Sequence, residues 1–313
     1  LFKGNTFTAG LDYKQYGGIA ENIKAMHGNG LVFGDTTVSE IAGYIYTQQE
    51  LFSKLVLNAG FRLEHNNVYG NEPVPTGGIA YNPNPATTIK ASVAKGFRSP
   101  TIRELYLWSA ANTGLKPERM MNYEIGVLQR LLENKISLEL TLFKSNGDNL
   151  IKTIMTNEGP RNENTGKFSN TGIEFAGTYR PFSKLTFNTN FSFVHMKDPI
   201  IASPEQQLLF SGTYKPGKFS LNISVQHIGN LYTQINPVAV KDSYTLLNSR
   251  IAYKINNYVD VFAKGENLTN RKNAANTILM NINSTREQGK VFCLVEGQPD
   301  GVRLYAVDNS VSA

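Results

Sequence analysis

Four histidines and one cysteine are the residues of this sequence that most often act as metal ligands or nucleophiles. The histidines have none of the spacings of a zinc or non-haem iron site, because they lie far apart at His27, His65, His195 and His227. Cys293 is the only cysteine, so it cannot form an internal disulfide or a cysteine-rich metal site. The sequence also lacks a Gly-x-Ser-x-Gly elbow and a P-loop. We therefore expect no metal, no cofactor and no enzymatic activity.

A short run from Asn146 to Asn149, with the sequence NGDN, offers side-chain oxygens of the kind that bind calcium. The same composition is typical of turns, because Asn, Gly and Asp readily adopt turn conformations. We interpret the run as a turn and keep calcium binding as the alternative.

The segment 97–119 combines arginines with aromatic residues and is far longer than a hairpin turn. Guanidinium and aromatic groups make directed contacts with anionic or aromatic ligands. The candidate substrate contacts are therefore Arg98, Arg103, Tyr106 and Trp108, the only tryptophan. The alternative is that the aromatic residues pack the loop or belong to an aromatic girdle at a membrane surface.

Composition excludes several classes of protein. Only 18% of the 313 residues are charged, and 15 tyrosines and 17 phenylalanines accompany a mean hydropathy of -0.28. No run approaches the roughly 18 consecutive apolar residues of a transmembrane helix, which excludes a helical membrane protein. The formal net charge of +6 is spread without a basic cluster, so we expect no nucleic-acid partner.

Apolar and polar residues alternate along many short segments, which indicates strands with one apolar and one wet face. The most regular row is formed by Leu185, Phe187, Phe191 and Phe193, which alternate with Thr186, Asn188, Asn190 and Ser192. A β-sandwich would bury such a row against a second sheet, whereas a transmembrane barrel would present it to lipid. One strand alone does not distinguish the two.

The connections favour the barrel. Short connections at 50–53, 82–86, 131–134, 180–183, 215–217 and 256–257 alternate with long ones at 17–38, 65–75, 97–119, 146–167, 195–204 and 229–242. Outer-membrane barrels have short periplasmic turns and long extracellular loops, whereas connections in soluble domains are mostly about 4 to 6 residues. We predict an all-β fold, an antiparallel transmembrane β-barrel with about thirteen strands here. Because single-chain bacterial barrels use even strand numbers, we expect a partial, open barrel.

Four stretches resemble the barrel of TonB-dependent outer-membrane receptors. They are KGFRSPTIRELY at 95–106, GLKPE at 114–118, NYEIG at 122–126 and ENLTN at 266–270. The resemblance covers residues 1–272. The remaining residues, 273–313, depart from the family, and we predict a divergent tail with a β-hairpin around its Pro-Asp-Gly turn.

The resemblance implies a Gram-negative outer-membrane receptor for energised uptake of a scarce nutrient such as siderophore-bound iron, haem, cobalamin or a glycan. It implies a barrel of about 22 strands around an N-terminal plug. The plug would contact the TonB complex, and the barrel would contact outer-membrane lipid and lipopolysaccharide. The chain begins without a signal peptide, so we expect it to be the later part of a precursor whose plug is missing here. The alternatives are a passive porin or a secreted β-sandwich for binding or adhesion.

Overall fold

The computed structural model describes residues 3–21, 32–107, 109–257, 259–271, 291–297 and 304–307. Within these ranges the chain forms fifteen strands and one short helix. The first eight strands are β1 Asn5–Glu21, β2 Val32–Leu51, β3 Leu55–Asn66, β4 Gly70–Asn84, β5 Thr87–Arg98, β6 Glu118–Leu131, β7 Ile136–Thr156 and β8 Gly159–Phe182. The others are β9 Leu185–Met196, β10 Pro204–Tyr214, β11 Phe219–Gln234, β12 Val240–Lys254, β13 Val259–Gly265, β14 Val291–Gly297 and β15 Leu304–Val307. Helix α1 spans Ile102–Tyr106, and no described helix is long and apolar enough to cross a membrane.

The strands pair in chain order from β1 to β15 in a single sheet, and the recorded pairings are antiparallel. Among the described strands, β1 has only β2 as a neighbour and β15 has only β14, so the sheet is open. This confirms the predicted all-β fold, an open antiparallel sheet of thirteen strands followed by an antiparallel pair. The division of the chain at residue 272 stays a prediction.

The register keeps apolar and polar side chains on opposite faces. In β2 and β3, Ile45 lies opposite Phe61 on one face, whereas Tyr44 lies opposite Arg62 on the other. Ile45 and Phe61 are 54% and 44% exposed although they are large and apolar, so no described part of the chain forms a layer over them. An uncovered apolar face is what a lipid-facing strand requires, because lipid supplies the apolar contacts.

The six predicted short connections are confirmed, with small shifts in their bounds. They lie at 52–54, 85–86, 132–135, 183–184, 215–218 and 255–258. Phe52 and Ser53 both have left-handed backbone, with φ of 52° and 54°. Two successive residues with positive φ match the right-handed twist of paired strands, which is why the reversal can be tight.

The predicted long connections are partly wrong. Segments 97–119 and 195–204 do leave the sheet, over 99–117 and 197–203, but segment 65–75 reduces to the turn 67–69. Segment 146–167 continues β7 and β8, which are joined at 157–158, and β8 alone has 24 residues. Strands also extend into segments 17–38 and 229–242. Only about 9 to 11 residues are needed to cross a bilayer, and beyond it both faces of a strand meet water. The alternation therefore disappears while the strand pairing continues.

The chain divides into two compact units. The first contains Leu1–Gly126 and Leu142–Thr171, and its buried apolar residues include Val38, Leu105 and Leu115. Its buried polar residues are as prominent and include Glu72 and Asn66, which are 0% and 1% exposed. This unit is therefore held by a polar interior cluster as much as by apolar packing.

The second unit contains Val127–Thr141 and Gly172–Ala313. Its buried residues lie near the ends of β9 and β11 and include Met196, Leu231 and Tyr232. Glu205 joins this cluster, because it accepts hydrogen bonds from the Tyr232 hydroxyl at 2.7 Å and from Lys241 Nζ at 2.8 Å. These contacts fix the start of β10 against β11 and β12.

Candidate functional site

Arg98, at the end of β5, ties together the two ends of the loop 99–117. Its Nε donates to Glu118 Oε2 at 2.7 Å, and its two terminal nitrogens donate to the oxygens of Glu104 at 3.0 Å each. The other oxygen of Glu118 accepts a hydrogen bond from the backbone N–H of Ile151 in β7 at 2.8 Å. Because a bidentate guanidinium–carboxylate pair has a fixed geometry, Arg98 sets the path of the loop.

Helix α1 lies at the start of this loop and is held by a capping box. The Thr101 side chain accepts from the Glu104 N–H, and the Glu104 carboxylate accepts from the Thr101 N–H at 2.8 Å. Burial raises the pKa of the Glu104 carboxyl, but hydrogen bonds from Arg98 and Thr101 outweigh it and hold that pKa below its usual value. Leu105 is only 2% exposed and anchors the helix. The loop is thus an ordered part of the first unit.

Asn162 and Asn164, in the extension of β8, attach the loop to the β7–β8 hairpin. The Asn162 backbone N–H donates to the Ala110 carbonyl at 2.7 Å, and its carbonyl accepts from Asn112 Nδ2 at 2.8 Å. The Asn164 side chain accepts from the Lys116 N–H at 2.8 Å and donates to the Lys116 carbonyl at 2.9 Å. These hydrogen bonds fix the loop at Ala110, Asn112 and Lys116.

A cavity of about 490 Å³ lies between the loop and the turn of the β7–β8 hairpin. Small-molecule sites typically have about 300 to 1,000 Å³. We call it the loop pocket, and its lining residues are Leu105, Tyr106, Ser109, Ala111, Asn112, Thr113, Thr156, Glu158, Gly159, Pro160 and Arg161.

The four predicted substrate contacts occupy different places. Tyr106 lines the loop pocket, and Arg103 lies in the last turn of α1. Arg98 lies at the base of the loop with its donors engaged by Glu104 and Glu118, which supports a positioning role. Trp108 lies outside the described residues. A contact between any of the four and a substrate stays a prediction.

Sequence reasoning missed a cluster of carboxylates on the polar face of β2, β3 and β4. Glu72 lies opposite Glu64 in the register, and both are buried. Glu72 is paired with Lys95 Nζ at 2.6 Å and with Arg119 Nη2 at 2.8 Å. Glu64 is paired with Arg62 Nη2 at 3.1 Å. The sequence offers one signal, the shared polar face of Arg62 and Glu64 in β3, but the partners of Glu72 come from other strands.

Tyr69 links this cluster to the loop. Its hydroxyl donates to Glu64 at 2.9 Å and lies 2.8 Å from the Ser99 hydroxyl at the start of the loop. Burial raises the pKa of Tyr69, and the hydrogen bond with Ser99 opposes this without cancelling it. The hydroxyl therefore stays protonated and remains a donor to the carboxylate at any physiological pH.

Two of the four histidines considered for metal binding make ordinary contacts with neighbouring polar side chains. The His65 ring lies 2.8 Å from Asn71 Oδ1 and the His227 ring lies 2.9 Å from the Thr245 hydroxyl, whereas His27 lies outside the described residues. Within the described part of the chain, no group of three or more His, Cys, Asp or Glu side chains could hold a metal ion. The interpretation of the run Asn146 to Asn149 as a turn is wrong, because these residues lie within β7. Asn149 has left-handed backbone there, with φ of 57°.

The second unit has a separate cavity of about 480 Å³ over strands β7 to β11. Its lining includes Glu139, Glu174 and Asn190 and otherwise consists mainly of neutral polar and apolar side chains. The polar lining fits the wet face of a transmembrane sheet.

Comparisons of sequence agree with this architecture. A family model described as TonB dependent receptor-like, beta-barrel, matches residues 2–268. The vitamin B12 transporter BtuB of Vibrio vulnificus is 23% identical over 278 residues, which are 85% of this chain and 43% of that protein. An iron-regulated outer membrane virulence protein of Vibrio cholerae is 32% identical over 96 residues, which are 28% of this chain and 15% of that protein. The chain spans less than half the length of these curated relatives.

Solved structures share the fold at low sequence identity. The ferric enterobactin receptor PfeA of Pseudomonas aeruginosa, in complex with enterobactin, matches with a TM-score of 0.70 and 16% identity over 85% of this chain and 46% of that one. The siderophore receptor PirA of Acinetobacter baumannii matches with a TM-score of 0.68 and 18% identity over 85% and 48%. Because the family model covers most of its length, this chain belongs to the β-barrel family of TonB-dependent receptors.

Proposed function

We propose that this chain is part of an outer-membrane receptor for TonB-energised uptake of a scarce nutrient, and that it is not an enzyme. The observation that carries the proposal is the match of the barrel family to residues 2–268. Relatives named as vitamin B12 transporters and an outer membrane protein support the location and the activity. Siderophore-bound iron, haem, cobalamin and glycans are the candidate nutrients.

Two features of the fold support this role. The apolar face is uncovered and suits contact with outer-membrane lipid and lipopolysaccharide, whereas the polar face suits a water-filled or plugged interior. The loop 99–117 and the extended β7–β8 hairpin carry hydrogen-bonding groups, and in this proposal they lie beyond the membrane-spanning part, where a nutrient would first bind. We propose that Tyr106, Arg103 and Trp108 contact the nutrient there and that Arg98 positions the loop. The TonB complex would act through a plug domain, as the family resemblance implies.

The test is nutrient uptake by a Gram-negative host that carries the complete gene encoding this chain. Radiolabelled cobalamin, haem, a ferric siderophore and an oligosaccharide are supplied to paired strains with and without functional TonB. We expect accumulation of one nutrient that depends on TonB. Accumulation that is equal in both strains would favour the passive porin, and liposome swelling by the purified protein would then confirm open diffusion.

A further inference from the structure

The loop pocket has walls that are fixed before any ligand arrives. One wall belongs to the loop 99–117 and the other to the turn of the β7–β8 hairpin. Asn162 joins them, because its Nδ2 donates to the Glu104 carbonyl at 3.2 Å and its backbone N–H donates to the Ala110 carbonyl at 2.7 Å. A site whose walls are already ordered loses little conformational entropy on binding, which favours affinity.

Three functional groups in the pocket have no hydrogen-bond partner within the described part of the chain, although Arg161 makes a long ion pair with Glu163. Arg161 is exposed and makes no hydrogen bond there, and its nearest carboxylate oxygen, Glu163 Oε1, is 3.9 Å away. The Tyr106 hydroxyl and the Glu158 carboxylate likewise have no hydrogen-bond partner among the described residues. The pocket therefore offers a ligand the N–H donors of the Arg161 guanidinium, the two acceptor oxygens of the Glu158 carboxylate and the aromatic ring of Tyr106.

The pocket has no excess of positive charge in its lining. Among the described residues of its lining, only Glu158 and Arg161 are charged, and Glu163 adds a further carboxylate beside Arg161. A strongly anionic ligand, such as a ferric complex of several catecholates, would need an excess of cationic groups to offset its desolvation. The remaining polar lining residues are neutral donors and acceptors: Ser109, Asn112, Thr113 and Thr156.

From this chemistry we propose that the loop pocket recognises a neutral part of the nutrient that carries both hydrogen-bond donors and acceptors. Arg161 would bind an acceptor, Glu158 would bind a donor, and the Tyr106 ring would pack on an apolar face. Amide groups of a corrinoid and hydroxyl groups of a glycan both have this chemistry. The inference rests on the proposed function and deepens it, because it selects among the candidate nutrients.

The test uses the complete receptor purified in detergent and isothermal titration with cyanocobalamin, maltohexaose and ferric enterobactin. The pocket variants are Arg161→Ala, Glu158→Ala and Tyr106→Ala, and the matched control is Lys167→Ala, an exposed cation in the same hairpin. We expect one neutral probe to bind, and each pocket variant to weaken it about tenfold by leaving its polar groups unpaired. Lys167→Ala should bind as the native protein does. Which neutral probe binds distinguishes the corrinoid from the glycan.

Uptake in the paired strains separates the possible failures. If some nutrient accumulates in a TonB-dependent way but neither neutral probe binds, or if the pocket variants bind the neutral probe as tightly as the control, the inference is overturned and the proposed function stands. Tight binding of ferric enterobactin that is weakened by Arg161→Ala also overturns it. If no nutrient accumulates in a TonB-dependent way, the proposed function itself fails. Circular dichroism of each variant shows whether the sheet has formed.

Discussion

Glu72 shows how a charged side chain can hold a transmembrane sheet together. It is 0% exposed, and its two oxygens accept hydrogen bonds from Arg119 and pair with Lys95 at 2.6 Å. Removing one member of a buried ion pair leaves its partners uncompensated, which costs more than the pair contributes. This carboxylate therefore binds β4 to β5 and β6 more firmly than an exposed pair would.

We predict that Glu72→Gln lowers the free energy of unfolding by about 3 kcal/mol, because two cations lose their counter-charge inside the sheet. Glu133→Gln, at an exposed turn position, is the control and should change stability little. The measurement is the denaturant midpoint of the purified protein in detergent. Equal midpoints for the two variants would show that Glu72 carries no such role.

The lowered pKa of Glu104 predicts that the contribution of this single residue to stability depends on pH. Because the pKa of its folded form lies below the usual 4.5, its contribution to stability is complete above about pH 4.5 and is lost as pH falls through the lower folded value. Glu104→Gln should therefore be less stable than the native protein at neutral pH, and the difference should shrink with acidification. Thermal midpoints at a series of pH values measure it. A constant difference at all pH values would contradict the assignment.

At the scale of the element, a glycine can leave room for an aromatic ring of the neighbouring strand. A Cβ at Gly147 in β7 would lie 1.9 Å from the Phe168 ring in β8, so the ring occupies the space that a side chain would take. We predict that Gly147→Ala displaces the ring and destabilises the hairpin, and that Phe168→Ala relieves the clash. A double-mutant cycle should give a coupling of about 1 to 2 kcal/mol.

Gly77→Ala is the matched control for this cycle, because the nearest atom to a Cβ there is 3.8 Å away. It should change stability only slightly and show no coupling with Phe168→Ala. Additive effects of Gly147→Ala and Phe168→Ala would mean that the ring does not depend on the glycine.

The loop 99–117 should be released by a single change in β8. In Asn162→Ala the side chain no longer donates to the Glu104 carbonyl or accepts from the Thr153 hydroxyl at 2.7 Å. We expect hydrogen exchange of the loop amides to become about tenfold faster, since a buried polar partner is left unsatisfied. Asn157→Ala, in the exposed hairpin turn, is the control. Unchanged exchange in Asn162→Ala would show that backbone contacts alone hold the loop.

These elements also show where sequence reasoning succeeds and where it stops. Alternation and turn composition predicted the strands within the bilayer, because a lipid-facing row must be apolar. The extensions of β7 and β8 could not be found in this way, since both of their faces meet water and their stability comes from pairing. The capping box joins Thr101 to Glu104, and Arg98 pairs with Glu104 six residues further along the chain. Both contacts therefore depend on local sequence. The partners of Glu72 come from other strands and depend on register, which the pattern does not give.

At the scale of the molecule, many large apolar side chains are exposed because one face of the sheet has no described protein layer over it. The apolar row of β9 is continued by neighbouring strands, and the rings of Tyr179, Phe187 and Phe210 stack with centroid distances of 6.3 and 6.0 Å. A soluble protein rarely exposes a large continuous apolar surface, because exposed apolar patches promote association. The surface is therefore consistent with the family's place in the outer membrane, where lipid replaces the missing layer.

This placement predicts an alternating pattern of solvent access along β9. Single spin labels are introduced by cysteine substitution into the complete receptor in liposomes, with Cys293→Ser as background. Labels at the apolar row should be accessible to oxygen and protected from a water-soluble nickel reagent, because that row faces lipid; the positions are Leu185, Phe187, Phe191 and Phe193. Labels at the alternate positions should show the reverse; they are Thr186, Asn188, Asn190 and Ser192. Equal access of the nickel reagent to both rows would contradict a lipid-facing sheet, because the apolar row would then be in contact with water.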